Sequence, residues 1–107
     1  MKDVGCYIIF SKILNKNYIG VCQDSLQERI KKHNSSFYGK NRFTSKANDW
    51  SLKLFIPTAS FSHAIRLERK IKSMKSSKYV DNLTKYPELI NKILLETETP
   101  WLSRKLS

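Results

Sequence analysis

The chain of 107 residues contains no run of about eighteen consecutive apolar residues, and no cationic-then-apolar segment opens it. Neither a membrane span nor a signal segment is expected, so the cytoplasm is the expected location. Cysteine is confined to Cys6 and Cys22 with no Cys-x-x-Cys pair, and histidine to His33 and His63, which leaves too few ligands at the usual spacing for a structural zinc. Acidic residues are also scarce. Nine Asp and Glu stand against 20 Lys and Arg, a net charge of +11 distributed along the chain rather than gathered in a tail. Such a balance points to a polyanionic partner, with a ribosomal-type or merely solubilising basic surface as the alternative. Internal repeats and low-complexity segments are absent. The length suits one compact domain, expected over residues 1–96, followed by a tail over 97–107 that has Trp101 and two basic residues but no interpretable pattern.

What is present begins with two β-rich runs, Val4 to Phe10 and Asn17 to Cys22, around a polar Asn15-Lys16-Asn17 corner that suits a hairpin. With an even number of loop residues, the period of two puts Tyr7 and Tyr18 on one sheet face. The same register puts Cys6 and Cys22 on opposite faces, which argues against a disulfide. Ser25 and Glu28 then stand at capping-box spacing and open a helix to about His33, with Leu26 and Ile30 on its apolar stripe and Arg29 and His33 beside it. Residues 34–49 are polar and basic without helical or strand period and read as a loop. Within it Phe37, Tyr38 and Phe43 alternate with Lys40, Arg42 and Lys46, a strip that suits a phosphate backbone with aromatic faces against bases, or a plain loop anchored by its aromatics.

Trp50 to Pro57 reads as a third strand, and a helix capped by Ser60 or Ser62 follows, carrying Ala64, Leu67, Ile71 and Met74 on one stripe. Glu68 stands on that stripe. A carboxylate on the core side of a helix must be paired, protonated or metal-bound, and Lys72 one turn on offers the salt bridge. Arg66, Arg69, Lys70 and Lys72 fall on the outer faces, where phosphate contact and plain solubility are both open readings. A short helix from Ser76 or Ser77 and a last one from Pro87 to about Leu95 complete the order β-β-α-β-α-α-α. The fold class is α+β, a small three-stranded mixed or antiparallel sheet flanked by helices.

Gly5-Cys6-Tyr7, ten intervening residues, then Tyr18-Ile19-Gly20 resemble the paired triplets of the GIY-YIG endonuclease family, with Cys6 at a position usually aliphatic. The chain is similar to small single-domain members, like the nuclease domain of the bacterial excinuclease. The resemblance covers about the first eighty-five residues, most of the chain. It implies an arginine on the first helix that holds phosphate charge and often a histidine, matched by Arg29 and His33. It implies a single metal-binding carboxylate in an Ala-x-x-x-Glu helix, matched by Glu68, and an asparagine near the substrate after that helix, for which Asn82 is the candidate. Thr44-Ser45-Lys46 and Trp50 match a segment of small members, with Ala47 in a glycine place.

The activity so implied is Mg²⁺-dependent (or Mn²⁺-dependent) hydrolysis of DNA, with repair among the possible settings and RNA as the alternative substrate. One phenol activates water and the other orients it. Tyr7 is the expected base, Tyr18 the positioning group and Arg29 the phosphate clamp, although the phenols are interchangeable on sequence alone. Mg²⁺ commonly uses one or two carboxylates and completes its shell with water and phosphate, so Glu68 is chemically adequate as metal ligand. Phosphate contacts are expected from Lys40, Arg42, Lys46, Arg66, Lys70 and Asn82. Two other classes fit the same composition: a catalytically silent nucleic-acid-binding module and a basic ribosome-associated protein. No separate reader domain is visible, so protein partners supplying specificity stay unidentified.

Overall fold

The computed structural model describes residues 2–35 and 46–99. Its first two strands, β1 (Gly5–Ser11) and β2 (Lys16–Cys22), pair antiparallel with Tyr7 opposite Gly20 and Ile9 opposite Tyr18. Four residues, Lys12 to Asn15, close the hairpin, so β1 reaches Ser11, one residue past the expected run, and Lys16 joins Asn17 in β2. Asn15 takes φ 52°, a left-handed conformation that asparagine tolerates. The Asp49 carboxylate fixes this turn, accepting from Ser11 Oγ at 2.6 Å and from the Ile13 amide at 3.0 Å. Because the loop is even, the two tyrosines do share a face, and Cys6 and Cys22 look opposite ways as free thiols.

Strand β3 (Ser51–Pro57) pairs antiparallel with the other side of β1, giving the order β2-β1-β3 with β1 central and the sheet wholly antiparallel. A bulge interrupts the β1–β3 ladder, since Ile8 pairs with Leu54 and Ile9 with Leu52. The extra residue is Lys53. Its ammonium reaches Asp81 at 2.6 Å, tying the strand to the helical layer behind it.

Among the described residues four helices cover the sheet, and alternation along β1 decides which face each covers. Cys6 and Ile8 point one way into a cluster with Ile56 of β3 and with Leu67, Ile71, Val80, Leu83 and Ile93, contributed by α2 (Phe61–Ser73), α3 (Ser77–Lys85) and α4 (Pro87–Glu96). Tyr7 and Ile9 point the other way, into a cluster with Cys22, Ala47 and Trp50 that Leu26 and Ile30 of α1 (Leu26–Asn34) close. Serine caps begin three helices: Ser25 accepts from the Glu28 amide, Ser60 from His63 and Ser76 from Tyr79. Pro87 opens α4 where its missing N–H is no loss. Asn34 clamps the peptide of Trp50, its side chain donating to the carbonyl at 2.9 Å and accepting from the amide at 2.7 Å. The segment before β3 is thereby fastened to the end of α1.

Packing does not stop at residue 96. Thr97, where the tail was expected to begin, is fully buried, its hydroxyl donating to the Ile93 carbonyl at 2.7 Å and lying 3.0 Å from His63 Nε2. No helix among the described residues is long and apolar enough to cross a membrane.

Candidate active site

The sheet face under α1 gathers four of the residues singled out above. Tyr7 projects from central β1, is 2 % exposed, and its hydroxyl lies 2.8 Å from His33 Nε2. The Tyr18 ring sits 6.4 Å from Tyr7 and 5.0 Å from His33, centroid to centroid, and meets the edge of Trp50 at 6.4 Å. Tyr18 is the more open phenol. It is half-buried and lies on edge strand β2, whereas Tyr7 is enclosed.

Gly20 explains how the enclosed phenol fits. A Cβ there would stand 2.5 Å from both Cζ and Oη of Tyr7, so the tyrosine ring lies across a position only glycine leaves clear. Trp50 and Gly20 were not singled out as site residues. Gly20 was visible as the last letter of the second triplet, but its service to Tyr7 depends on the cross-strand register.

His33 comes from the last turn of α1 and is 4 % exposed. Burial, helped by the Arg29 charge, pushes its pKa down to about 4, so the imidazole is neutral near pH 7. A neutral ring has one donor and one acceptor nitrogen, and either tautomer holds the Tyr7 oxygen. Arg29, one turn earlier, is 31 % exposed, and its Nε makes a long 3.5 Å contact with Asp24. The helix therefore supplies one neutral partner for a phenol and one permanent cation beside it.

Glu68 lies in the other layer. It rises from α2, whose Ala64, Leu67 and Ile71 pack on the face that carries Cys6 and Ile8, so the sheet stands between the α2 core stripe and the phenols. Its side chain is 19 % exposed, and an oxygen lies 3.6 Å from Lys72 Nζ. The carboxylate's field is felt by Cys6, whose thiol burial chiefly, and Glu68 in addition, push up to about 12. The two layers meet at the outer edge of β2, where Tyr18 lines one groove with Ile71 and Lys72.

Among the described residues no cluster of three or more His, Cys, Asp or Glu side chains could hold a metal ion. A cation here would rest on one carboxylate. Glu68, a partly open oxygen donor with a loose lysine partner, fits an ion that fills its remaining positions with water and phosphate.

The other expected contacts are dispersed. Lys46 is exposed and adjoins the buried Ala47 beneath the tyrosines. Lys40 and Arg42, with Phe37, Tyr38 and Phe43, lie outside the described residues. Arg66 is engaged within the fold: its Nε donates to the Thr97 carbonyl at 2.9 Å and an Nη to that of Glu98 at 2.7 Å. Lys70 borders a cleft with Tyr79, Lys92 and Glu96 between α2 and the later helices. Asn82 is half-buried on α3, its carbonyl accepting from the Tyr86 amide at the helix end.

The paired triplets thus fold into a hairpin that seats two phenols against an arginine- and histidine-bearing helix. A model of the GIY-YIG catalytic domain matches residues 3–80. The chain belongs to the GIY-YIG family. GIY-YIG domains are generally nucleases, and the match spans the hairpin, α1, Glu68 and Lys72. Neither a curated protein nor a solved structure matches the chain.

Proposed function

We propose that this GIY-YIG protein is an endonuclease that hydrolyses DNA phosphodiester bonds with Mg²⁺ or Mn²⁺ held by Glu68. The observation that carries the reading is the meeting of Tyr7, Tyr18 and His33 within 6.4 Å of one another, centroid to centroid, with Arg29 one helical turn away. Hydrolysis requires that a water oxygen form a new bond to phosphorus, that its proton be accepted, and that the opposite P–O bond break with its electron pair on the departing oxygen. The metal ion, when bound, supplies charge for that departing oxygen.

The protein's own groups account for the rest. A phenol has an ordinary pKa of about 10 and serves as base only where positive charge favours the phenolate. Arg29 provides such charge beside the cluster and can also take the phosphoryl oxygens in a bidentate grip. Of the two phenols, Tyr18 is the one open to solvent, which favours it as the group that meets the water. Tyr7, enclosed and held by His33, then fixes the aromatic packing on which Tyr18 leans. This exchanges the roles expected from the family resemblance, which left the two phenols interchangeable.

Incubation of supercoiled plasmid with the protein and Mg²⁺ should give nicked product, and Glu68→Ala should reduce nicking to the level of the protein in EDTA. A second reading is supported by one observation: Glu68 sits in the helical layer opposite the phenols and pairs with Lys72, as a purely structural carboxylate would. Equal background cleavage by the parent and by Glu68→Ala would decide for that silent nucleic-acid-binding module.

A further inference from the structure

Along the outer edge of β2 runs a groove of ≈ 450 Å³ between the hairpin and the end of α2. Lys16, Lys72 and Lys75 line it, together with Tyr18, Asn17 and Ser77, and no acidic side chain among the described residues does. Lys16 and Lys75 are exposed and Lys72 is 51 % exposed, so all three ammonium groups can reach a ligand. The Lys72 contact with Glu68, at 3.6 Å, is longer than a hydrogen bond and leaves that ammonium loosely held.

The backbone provides a second, independent observation. Among the described residues, two other than glycine have positive φ, Asn15 at 52° and Lys75 at 48°, and Asn15 and Lys75 both line this groove. Asparagine enters that region readily, whereas lysine does so at a steric cost. Lys75 directly follows the Met74 cap of α2, a place where a left-handed residue is usually glycine. A strained lysine at that place is accounted for if its charge is used. Lys16 alone would read as protection of an open strand edge. That explanation does not extend to Lys72 and Lys75 on the helical layer.

We infer that this groove holds the sugar–phosphate backbone of duplex DNA flanking the scissile bond, with Lys16, Lys72 and Lys75 on successive phosphates and Tyr18 at the junction with the reacting site. The assignment rests on the nuclease reading. It extends that reading to three cations that the motif does not include.

Binding of the full chain to a labelled DNA duplex, measured by fluorescence anisotropy in EDTA over a series of salt concentrations, tests it without cleavage. The combined variant Lys16→Gln, Lys72→Gln, Lys75→Gly should bind about tenfold more weakly, and its slope of log K against log salt should flatten by about one per lysine removed. Lys75→Gly alone should weaken binding while its melting temperature stays level or rises, because strain is relieved as charge is lost. If the parent binds and the combined variant matches it in affinity and slope, the groove assignment falls and the nuclease reading stands. Absence of duplex binding by the parent overturns both. Lysine dependence seen with an RNA hairpin and not with the duplex also overturns the assignment.

Discussion

Tyr7 and Tyr18 are chemically identical, yet their surroundings separate them. Tyr18→Phe should lower the cleavage rate by about 10²–10⁴-fold, the range of a lost acid–base group. Tyr7→Phe should cost stability on the order of 1–3 kcal/mol by leaving buried His33 without its hydroxyl partner, with a smaller fall in rate. Single-turnover cleavage rates and urea melts of both variants check this, and a larger rate loss in Tyr7→Phe would restore Tyr7 as the base. His33 gives a pH signature. Its folded pKa of about 4 lies below the ordinary 6.5, so between those values the unfolded chain binds a proton that the folded chain does not. Stability should fall as pH drops from 6.5 to 4, by up to about 3 kcal/mol from this residue. His63, whose pKa burial also lowers, acts in the same direction, whereas the lowered carboxylates Asp49 and Asp81 act only at more acid pH. Thermal melts of His33→Gln should be flatter across that window than those of the parent, and parallel curves would contradict the assignment.

Helices α2 and α4 are joined by a polar clamp as well as by their apolar faces. His63 Nε2 lies within 3.1 Å of both the Leu94 carbonyl and the Thr97 hydroxyl, while Arg66 holds the carbonyls of Thr97 and Glu98, just past the end of α4. The last carbonyls of a helix have no partners within it, and His63 serves that of Leu94, while Arg66 pins the chain that leaves the helix. Arg66→Ala should lower unfolding free energy by about 1–3 kcal/mol in urea. Its salt dependence of DNA binding should match the parent's. A flattened salt slope with unchanged stability would return Arg66 to the phosphate-binding set. The Lys53–Asp81 pair does comparable joining for β3 and α3, made possible by the bulge that turns Lys53 toward the helices.

Much of the molecule was legible in its sequence because its signals are local. Period-two runs gave β1 and β2, serine caps gave the helix starts, and the even loop put the tyrosines on one face. Features that depend on distant partners were not legible. The hairpin turn sits where Asp49 anchors it, thirty-odd positions downstream of the turn. Arg66 looked like a surface cation because its carbonyl partners lie beyond the expected domain end. For Glu68 the helical stripe pointed to the core side, and the side chain is partly buried, but a stripe cannot say which side of a sheet its helix will cover. The alternation in β1 answers that question, and it also sets how fragile the arrangement is. Cys6, Tyr7, Ile8 and Ile9 serve opposite layers in turn, so one residue inserted after Gly5 would exchange greasy filler for reactive hydroxyl along the central strand. The first triplet is in that sense a phase marker as much as a chemical one.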